Sequence, residues 1–383
     1  MLRPLDRPAQ PGLGVITAYR DGIVTLRSNR REDGYTFSDT ENGYQEIRPG
    51  DLVFHALDGF AGAVGVSDSH GNASPVYHVC EPVAGDDPGY LARLLRHLGT
   101  SGFLATQAPN VRERSVDFRN WSTFARIPLV LPPAAEQRAI ADYLDRETAR
   151  IDTLIEEQQR LIEMLRERRE ATIRSALLSG LDAADKRPSG VELLGAIPRH
   201  WRMVPTRYLC TITTGSEDSG NATEDGDYPF YVRGREILRI GHYSFDGEAV
   251  MTPGDGQGGT GKVFHYFKGK FEAHQRVYVF KDFAGISGWY FYYFLSTFLR
   301  PVALAGSNTV TMESLRRPLL ADFKIAVPPL DEQRRIAAYL DEQTAKIDAL
   351  TAEAERFIEL ARERRAALIT AVVRGQIDVR EAA

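Results

Sequence analysis

Over most of the chain, apolar residues come in short alternating runs broken by glycine and proline, the pattern of β-strands joined by turns. Two long segments follow a different period. In the first, apolar residues recur at helical spacing at Ile140, Leu144, Ile151, Leu154, Leu161 and Leu165; in the second, Ile336, Leu340, Ile347, Leu350, Phe357 and Ala361 stand in the same register. The segments are copies of one motif. From Pro132 to Arg169, 23 of 38 positions are identical to the residues 196 places further on, without a gap. Pro132-Pro133 and Pro328-Pro329 end the strand before each copy, because proline can neither donate to a sheet nor continue a helix. Acidic residues follow (Glu136; Asp331 and Glu332), where a helix dipole favours negative charge, and Gly180 and Gly375 act as helix stops. From Glu147 to Leu178 this predicts a helix of roughly 32 residues, about 48 Å long.

An apolar stripe on a charged helix needs a partner helix. Duplication within one chain favours internal antiparallel pairing about a pseudo-twofold axis; a coiled coil between separate chains is the alternative. The β-rich stretches occupy residues 1–130 and about 190–327, with runs such as Gly14–Leu26, Asp51–Val66 and Arg276–Phe280. Residues Gly180 to Gly195 read as a linker. The layout is globule, helix, globule, helix: 1–131, 132–182, 183–327 and 328–383. The most apolar run, Trp289 to Leu299, has about 11 residues, too few to span a bilayer, and reads as a buried helix.

Charge alters this picture only locally. The net charge of −5 does not advertise a phosphate-binding protein. Residues 134–178 hold eight Lys/Arg against ten Asp/Glu, and residues 330–379 repeat that balance, so the remainder is near neutrality and any nucleic-acid surface must be a patch. Cys80 and Cys210 have no partner at metal-ligand spacing and read as free thiols of a reducing cytoplasm. The N-terminal residues are broken by prolines and lack the apolar core of a signal peptide.

Candidate chemistry is sparse. Gly256-Gln-Gly-Gly-Thr-Gly261-Lys262 fits the core of a phosphate-binding loop, but Val263 stands where the magnesium-binding Ser/Thr is needed, and the next residues alternate like a strand. A β-turn offering Lys262 to a phosphate is preferred to a degenerate nucleotide binder. Arg27, Asn29, Arg30 and Arg31 follow a predicted strand, and Arg233 and Arg235 lie near Tyr231; arginine can bind guanine and asparagine adenine through paired hydrogen bonds. Arg166-Glu-Arg168-Arg169 and Arg362-Glu-Arg364-Arg365 read first as intrahelical pairs and partner-docking groups, ahead of clamps on DNA. The histidines show no metal-binding spacing, no nucleophile or acid–base pair stands out, and Asp87-Pro-Gly-Tyr90 only imitates an amino-methyltransferase signature.

Two copies of PPxxEQ followed by an IAxYLD helix, set around two dissimilar globules, resemble the specificity subunits of Type I restriction-modification systems, over nearly the whole chain. The resemblance implies an α+β fold of two mixed α/β target-recognition globules separated by two long antiparallel α-helices. It implies a non-catalytic reader of a bipartite double-stranded DNA target, bound to two methyltransferase subunits and to restriction subunits. No cofactor is expected in this chain; the methyltransferase partner would use S-adenosylmethionine. At about 3.4 Å per base pair a 48 Å spacer would hold the half-sites about one helical turn and a fraction apart.

Ala196-Ile-Pro-Arg-His-Trp201 resembles the family's lead-in segment, Tyr228 to Ile237 the strand and loop that approach DNA, and Ala305-Gly-Ser-Asn308-Thr-Val a turn before the closing helix. The first globule resembles another subtype through Gly50-Asp-Leu-Val-Phe, Gly62-Ala-Val-Gly-Val and Asn110-Val-Arg112-Glu-Arg114, and has no counterpart of the Trp201 segment. The DNA-contact candidates are Arg27, Asn29, Arg30, Arg31, Arg112, Arg114, Tyr231, Arg233, Arg235, Gln257, Lys262 and Asn308. The spacer and docking candidates are Glu136, Gln137, Tyr143, Leu144, Ile151 and Leu161, with Glu332, Gln333, Tyr339, Leu340, Ile347 and Phe357. A scaffold whose globules do not read DNA is the competing reading.

Overall fold

In the computed structural model, which describes residues 2–30, 43–108, 111–112, 115–182, 184–255, 260–305 and 314–379, each copy of the repeated motif is one helix. The helices run Ala134–Ser179 and Leu330–Val373, 46 and 44 residues, or about 69 and 66 Å. Both exceed the predicted 48 Å, because nothing between the double prolines and Glu147 or Gln343 interrupts the helical hydrogen bonds. Gly180 and Gly375 close them with φ of +70° and +68°, a left-handed stop that glycine adopts without steric cost.

The buried seam corrects the expected stripe. On the first helix it passes through Leu144, Ile151 and Leu165 and, alongside, Thr148 and Ile162, steps of seven that keep one face inward. Leu154 and Leu161 lie on the neighbouring face and are exposed, as are Leu350 and Phe357 in the second copy, where Ile347, Ala354 and Ile358 are buried instead.

Packing divides the chain into two units, Met1–Gln159 with Arg356–Ala383, and Arg160–Glu355. The first unit holds strands β1 (Leu2–Pro4), β2 (Ile16–Ala18), β3 (Val24–Leu26), β4 (Gln45–Ile47), β5 (Leu52–His55), β6 (Val64–Val66), β7 (Gly71–Ala73), β8 (Tyr77–Pro82), β9 (Val111–Arg112) and β10 (Ser115–Val116). An antiparallel sheet of order β1-β8-β5-β6 is accompanied by the pairs β2-β3, β4-β7 and β9-β10. Helix α1 (Pro88–Thr100) is followed by the short α2 (Phe103–Gln107) and α3 (Trp121–Phe124), then by the long helix α4 (Ala134–Ser179). Asp87-Pro-Gly-Tyr90 is the start of α1: Asp87 accepts from the Tyr90 amide at 2.8 Å and Pro88 occupies the first turn. Tyr90, Leu91, Leu94 and Leu95 of α1 share a core with Ile140 and Leu144 and with Val372 and Val373 near the chain's end. Arg365 pairs with Asp152 at 2.9 Å, so in this unit the two long-helix segments run antiparallel.

The second unit adds β11 (Lys186–Pro188), β12 (Ala196–Pro198), β13 (Arg202–Pro205), β14 (Thr211–Thr214), β15 (Tyr228–Tyr231), β16 (Ile237–Ile240), β17 (Phe245–Pro253), β18 (His265–Ala273), β19 (Val277–Lys281) and β20 (Lys324–Val327). Its main sheet has the order β14-β19-β17-β18-β15-β16, antiparallel except for β15 beside β18. Strands β11 and β12 pair with each other, as do β13 and β20. Helix α5 (Gly288–Ala305) contains the apolar run, and α6 (Arg317–Asp322) leads through β20 into α7 (Leu330–Val373). Tyr290, Phe291, Phe294, Leu295, Phe298 and Leu299 of α5 are buried with Trp201, Leu177, Ile336 and Leu340, as expected of a core helix. Among the described residues no helix is long and apolar enough to cross a membrane. Arg169 pairs with Asp348 at 3.0 Å and Arg166 approaches Glu355 at 3.7 Å, so these segments are antiparallel here as well. For Arg166, Arg169 and Arg365 these are interhelical contacts rather than intrahelical pairs.

Candidate nucleic-acid interface

The sheet of the second unit brings several basic loops together. The residues after β15 carry Arg233 and Arg235, both exposed. The turn between β18 and β19 carries Gln275 and Arg276, also exposed. Asp255, just beyond β17, binds Arg276 at 3.0 Å and lies 3.7 Å from Arg233. His265, at the start of β18, contacts the Gly234 carbonyl at 3.2 Å and so holds the Arg233–Arg235 loop beside the turn that presents Lys262. Exposed cations on loops fixed by a rigid sheet can meet phosphates and base edges without ordering a flexible segment first.

The surrounding titratable groups sharpen that charge pattern. Burial, and then nearby Arg233, push His274 below its usual range, and burial does the same to His265. Both imidazoles are therefore neutral near pH 7, and the positive charge comes from arginine and lysine. Hydrogen bonds from the Gly220 amide to Asp218, and from Asn221 to Glu217, hold those carboxylates below their usual values, so this edge is mixed in sign.

The sequence candidates fare unequally. Tyr231 is 3% exposed, packed among His265, Phe267 and Phe271, and burial pushes its hydroxyl up to about 12. Its role as a DNA contact is withdrawn, because it belongs to the core under the loop. Lys262 is exposed, and the chain after it enters β18 rather than a helix, which removes the helix N-terminus a phosphate-binding loop requires. In the first unit Arg27 and Asn29 sit in a helical turn after β3; Asn29 donates to Thr25 at 2.9 Å and Arg27 to Thr17 at 3.4 Å. Arg30 binds Asp21 at 2.6 Å and lies over the Tyr19 ring. Arg112 is on β9. Arg31, Arg114, Gln257 and Asn308 lie outside the described residues. Arg276 and Gln275 were missed; the signal was a polar turn, His274-Gln275-Arg276, set between two apolar strands.

The helix candidates also divide. Gln137 and Gln333 are buried clamps. Gln137 donates to the Pro132 carbonyl at 2.9 Å and to Asp86 at 2.8 Å, and accepts from the Asp87 amide at 2.9 Å. Gln333 donates to the Pro328 and Gly285 carbonyls at 2.8 and 3.2 Å, and accepts from the Ser287 amide at 2.8 Å. With Leu144, Ile151, Leu340, Ile347 and Glu332 they are all buried and are withdrawn as docking contacts. Tyr143 is half-buried against the first core and Glu136 is partly exposed. Leu161, Tyr339 and Phe357 remain on the surface. With Leu154, Met164, Leu350 and Leu360 they form exposed apolar positions, each 37–54% exposed.

Residues 198–359, which span this sheet and much of α7, match the family described as the Type I restriction modification DNA specificity domain. That segment, less than half of the chain, is what resembles the family. The specificity subunit of the Type I restriction enzyme EcoDI from Escherichia coli is 28% identical over 183 residues, 48% of this chain and 40% of that protein. The EcoBI counterpart from Escherichia coli is 32% identical over 88 residues, 23% of this chain and 18% of that protein. The chain thus spans less than half the length of either relative it matches. Among solved structures, a chain from a study of complex assembly and conformational transition in a type I R-M system aligns over 98% of both chains, with a TM-score of 0.70 and 16% identity. The HsdS subunit from Thermoanaerobacter tengcongensis aligns over 87% of this chain and 82% of its own, with a TM-score of 0.53 and 19% identity. These likenesses establish a specificity-subunit fold of mixed helix and strand, with long helices beside two globules.

Proposed function

We propose that this protein reads double-stranded DNA for a Type I restriction-modification complex, while partner subunits carry out methylation and cleavage. The observation that carries the proposal is the second unit's edge, where Arg233, Arg235, Lys262 and Arg276 are displayed on loops fixed to one sheet, inside the segment that matches the family. Arginine pairs with guanine and anchors phosphates, and the mixed sign of the edge suits selective reading better than non-specific binding. A second half-site is assigned to the first unit, where the Arg27–Asn29 turn supplies polar groups. Methyltransferase subunits, two by the repeat, would dock on the exposed apolar positions of α4 and α7 and would use S-adenosylmethionine. The sequence gives no nucleophile or acid–base pair for chemistry in this chain.

The test is selection from a randomised duplex library by the protein co-purified with its methyltransferase. A split sequence should be enriched. Arg235→Ala should lower affinity for the selected duplex and relax one position, or else lower the salt slope by about one if the contact is to phosphate. Uniform recovery of all sequences would leave the scaffold reading in its place.

A further inference from the structure

Two of the arginines at the second unit's edge share one carboxylate. Arg276 donates from Nη1 to one oxygen of Asp255 at 3.0 Å, and Arg233 Nη1 lies 3.7 Å from the other. All three side chains reach solvent, so screening leaves the pairing weak in energy. Its weight lies in geometry.

Both ends of the Arg276–Asp255 pair stand on fixed backbone. Arg276 belongs to the turn between β18 and β19. Its amide donates to the imidazole of His274 at 3.0 Å, and that imidazole is buried. The Val277 amide closes the turn by donating to the His274 carbonyl at 2.8 Å. Asp255 follows Gly254, whose amide donates to the Arg276 carbonyl at 2.8 Å and whose carbonyl accepts from the Leu315 amide at 2.7 Å. Asp255 itself is bridged to Ser314. A Cβ on Gly254 would come within 2.8 Å of the Tyr278 ring, so glycine lets this strand end lie close against β19.

An arginine tethered through Nη1 keeps its other edge. Nε and Nη2 of Arg276 have no hydrogen-bond partner among the described residues, and together they form a planar fork of two donors. We infer that Asp255 is a positioning and specificity residue of the second unit's half-site, and that it sets Arg276 to read a guanine. This rests on the DNA reading proposed above, and adds the base that is read and the group that aims the reader. Guanine presents O6 and N7, two acceptors that match the fork. Adenine sets an amino donor beside N7, thymine offers one acceptor, and cytosine offers a donor. A phosphate also has acceptors, but it is charged. Asp255 places a negative charge beside the fork, which penalises a phosphate and spares the neutral edge of guanine. With two arginines and one aspartate the group keeps a single positive charge.

The test uses the protein co-purified with its methyltransferase and the split duplex selected from the randomised library. Each position of the selected half-sites is changed in turn to the other three bases, and the duplexes compete for binding. Arg276→Ala should lose its preference at one position, and the parent should favour guanine there by about tenfold or more. Asp255→Ala should cut that preference to within about threefold, and Asp255→Glu should restore part of it. Asp255→Asn should bind a duplex lacking the target more tightly than the parent does, with a salt slope steeper by up to about one. Preference at the other positions of the same half should persist in every variant, and circular-dichroism melts should stay close to that of the parent. A purely structural Asp255 would instead weaken the whole half-site together, which would overturn the inference. A preference for another base at the Arg276 position, or a guanine preference that Asp255→Ala leaves intact, would also overturn it while DNA reading stands. A parent that recovers all sequences uniformly would overturn both.

Discussion

Replacing Gln333 by alanine tests whether the repeated Glu-Gln of each motif copy is a structural clamp. The side chain is fully buried and makes three hydrogen bonds: to the Pro328 carbonyl at 2.8 Å, to the Gly285 carbonyl at 3.2 Å, and from the Ser287 amide at 2.8 Å. Each is worth about 1 kcal/mol net, and buried partners left unpaired cost somewhat more, so Gln333→Ala should destabilise the second unit by about 3 kcal/mol. Urea unfolding followed by tryptophan fluorescence measures this, with each transition fitted separately because a two-unit chain need not unfold in one step. Hydrogen exchange at the Ser287 amide should accelerate in step. A loss below about 1 kcal/mol would refute the clamp.

Gln333→Glu separates hydrogen bonding from packing. The new oxygen faces two carbonyls where the amide donated, so only the protonated acid can donate, through its one O–H to one of them, and its folded pKa should lie above the unfolded value of about 4.3. A group whose pKa is raised on folding gives its stability below the unfolded pKa and loses it as pH rises through the folded one. The variant should therefore approach the parent below about pH 4.3 and fall behind it at neutral pH. A pH-independent deficit would mean that the carbonyls are not the partners.

Three further outcomes are expected. Burial raises Cys80 and Cys210 to about 12, so both thiols should resist an aromatic disulfide reagent at pH 8 and react on unfolding; rapid labelling of the native protein would contradict this. Tyr231→Ala should lower stability by about 3 kcal/mol or more, on the scale of other buried aromatic truncations, and Tyr231→Phe should leave DNA affinity unchanged; a selective loss of affinity in the phenylalanine variant would return Tyr231 to the interface. Leu161→Asp together with Phe357→Asp should leave the melting temperature within a few degrees and abolish co-purification with the methyltransferase, and retained co-purification would place docking elsewhere.

The long helices, their glycine stops and the paired prolines were legible because they depend on local backbone rules and are stated twice. The seam was misread at Leu154 and Leu161: a count of apolar residues cannot separate Leu154 from Ile151 when both are large and three apart, and the inward face is chosen by what packs against it. Tyr231 failed for a related reason. Alternation in Tyr228-Pro-Phe-Tyr231 assigns opposite faces to successive residues but does not say whether one face is wet, and Phe230 and Tyr231 are both buried. The candidate interface was half legible: Arg233, Arg235 and Lys262 lie in one sequence region, whereas Arg276 joins them through the pairing of β17 with β19, where Pro253 lies opposite Val277.

The duplication also separates what a residue owes to its own fold from what it owes to other molecules. Gln137 and Gln333 make matching bonds, so their identity is explained within each unit. Glu136 and Glu332 are identical yet differ in partners, since Trp201 and His200 hold Glu332. Leu154 and Leu350, Leu161 and Phe357, Met164 and Leu360 are a third case: apolar in both copies and exposed in both. Neither unit covers these side chains, and six large apolar groups left in water at matching helix positions gain nothing for either fold. The proposed docking of methyltransferase subunits would account for their apolarity, and because the positions recur in both copies, it would do so with one surface used twice.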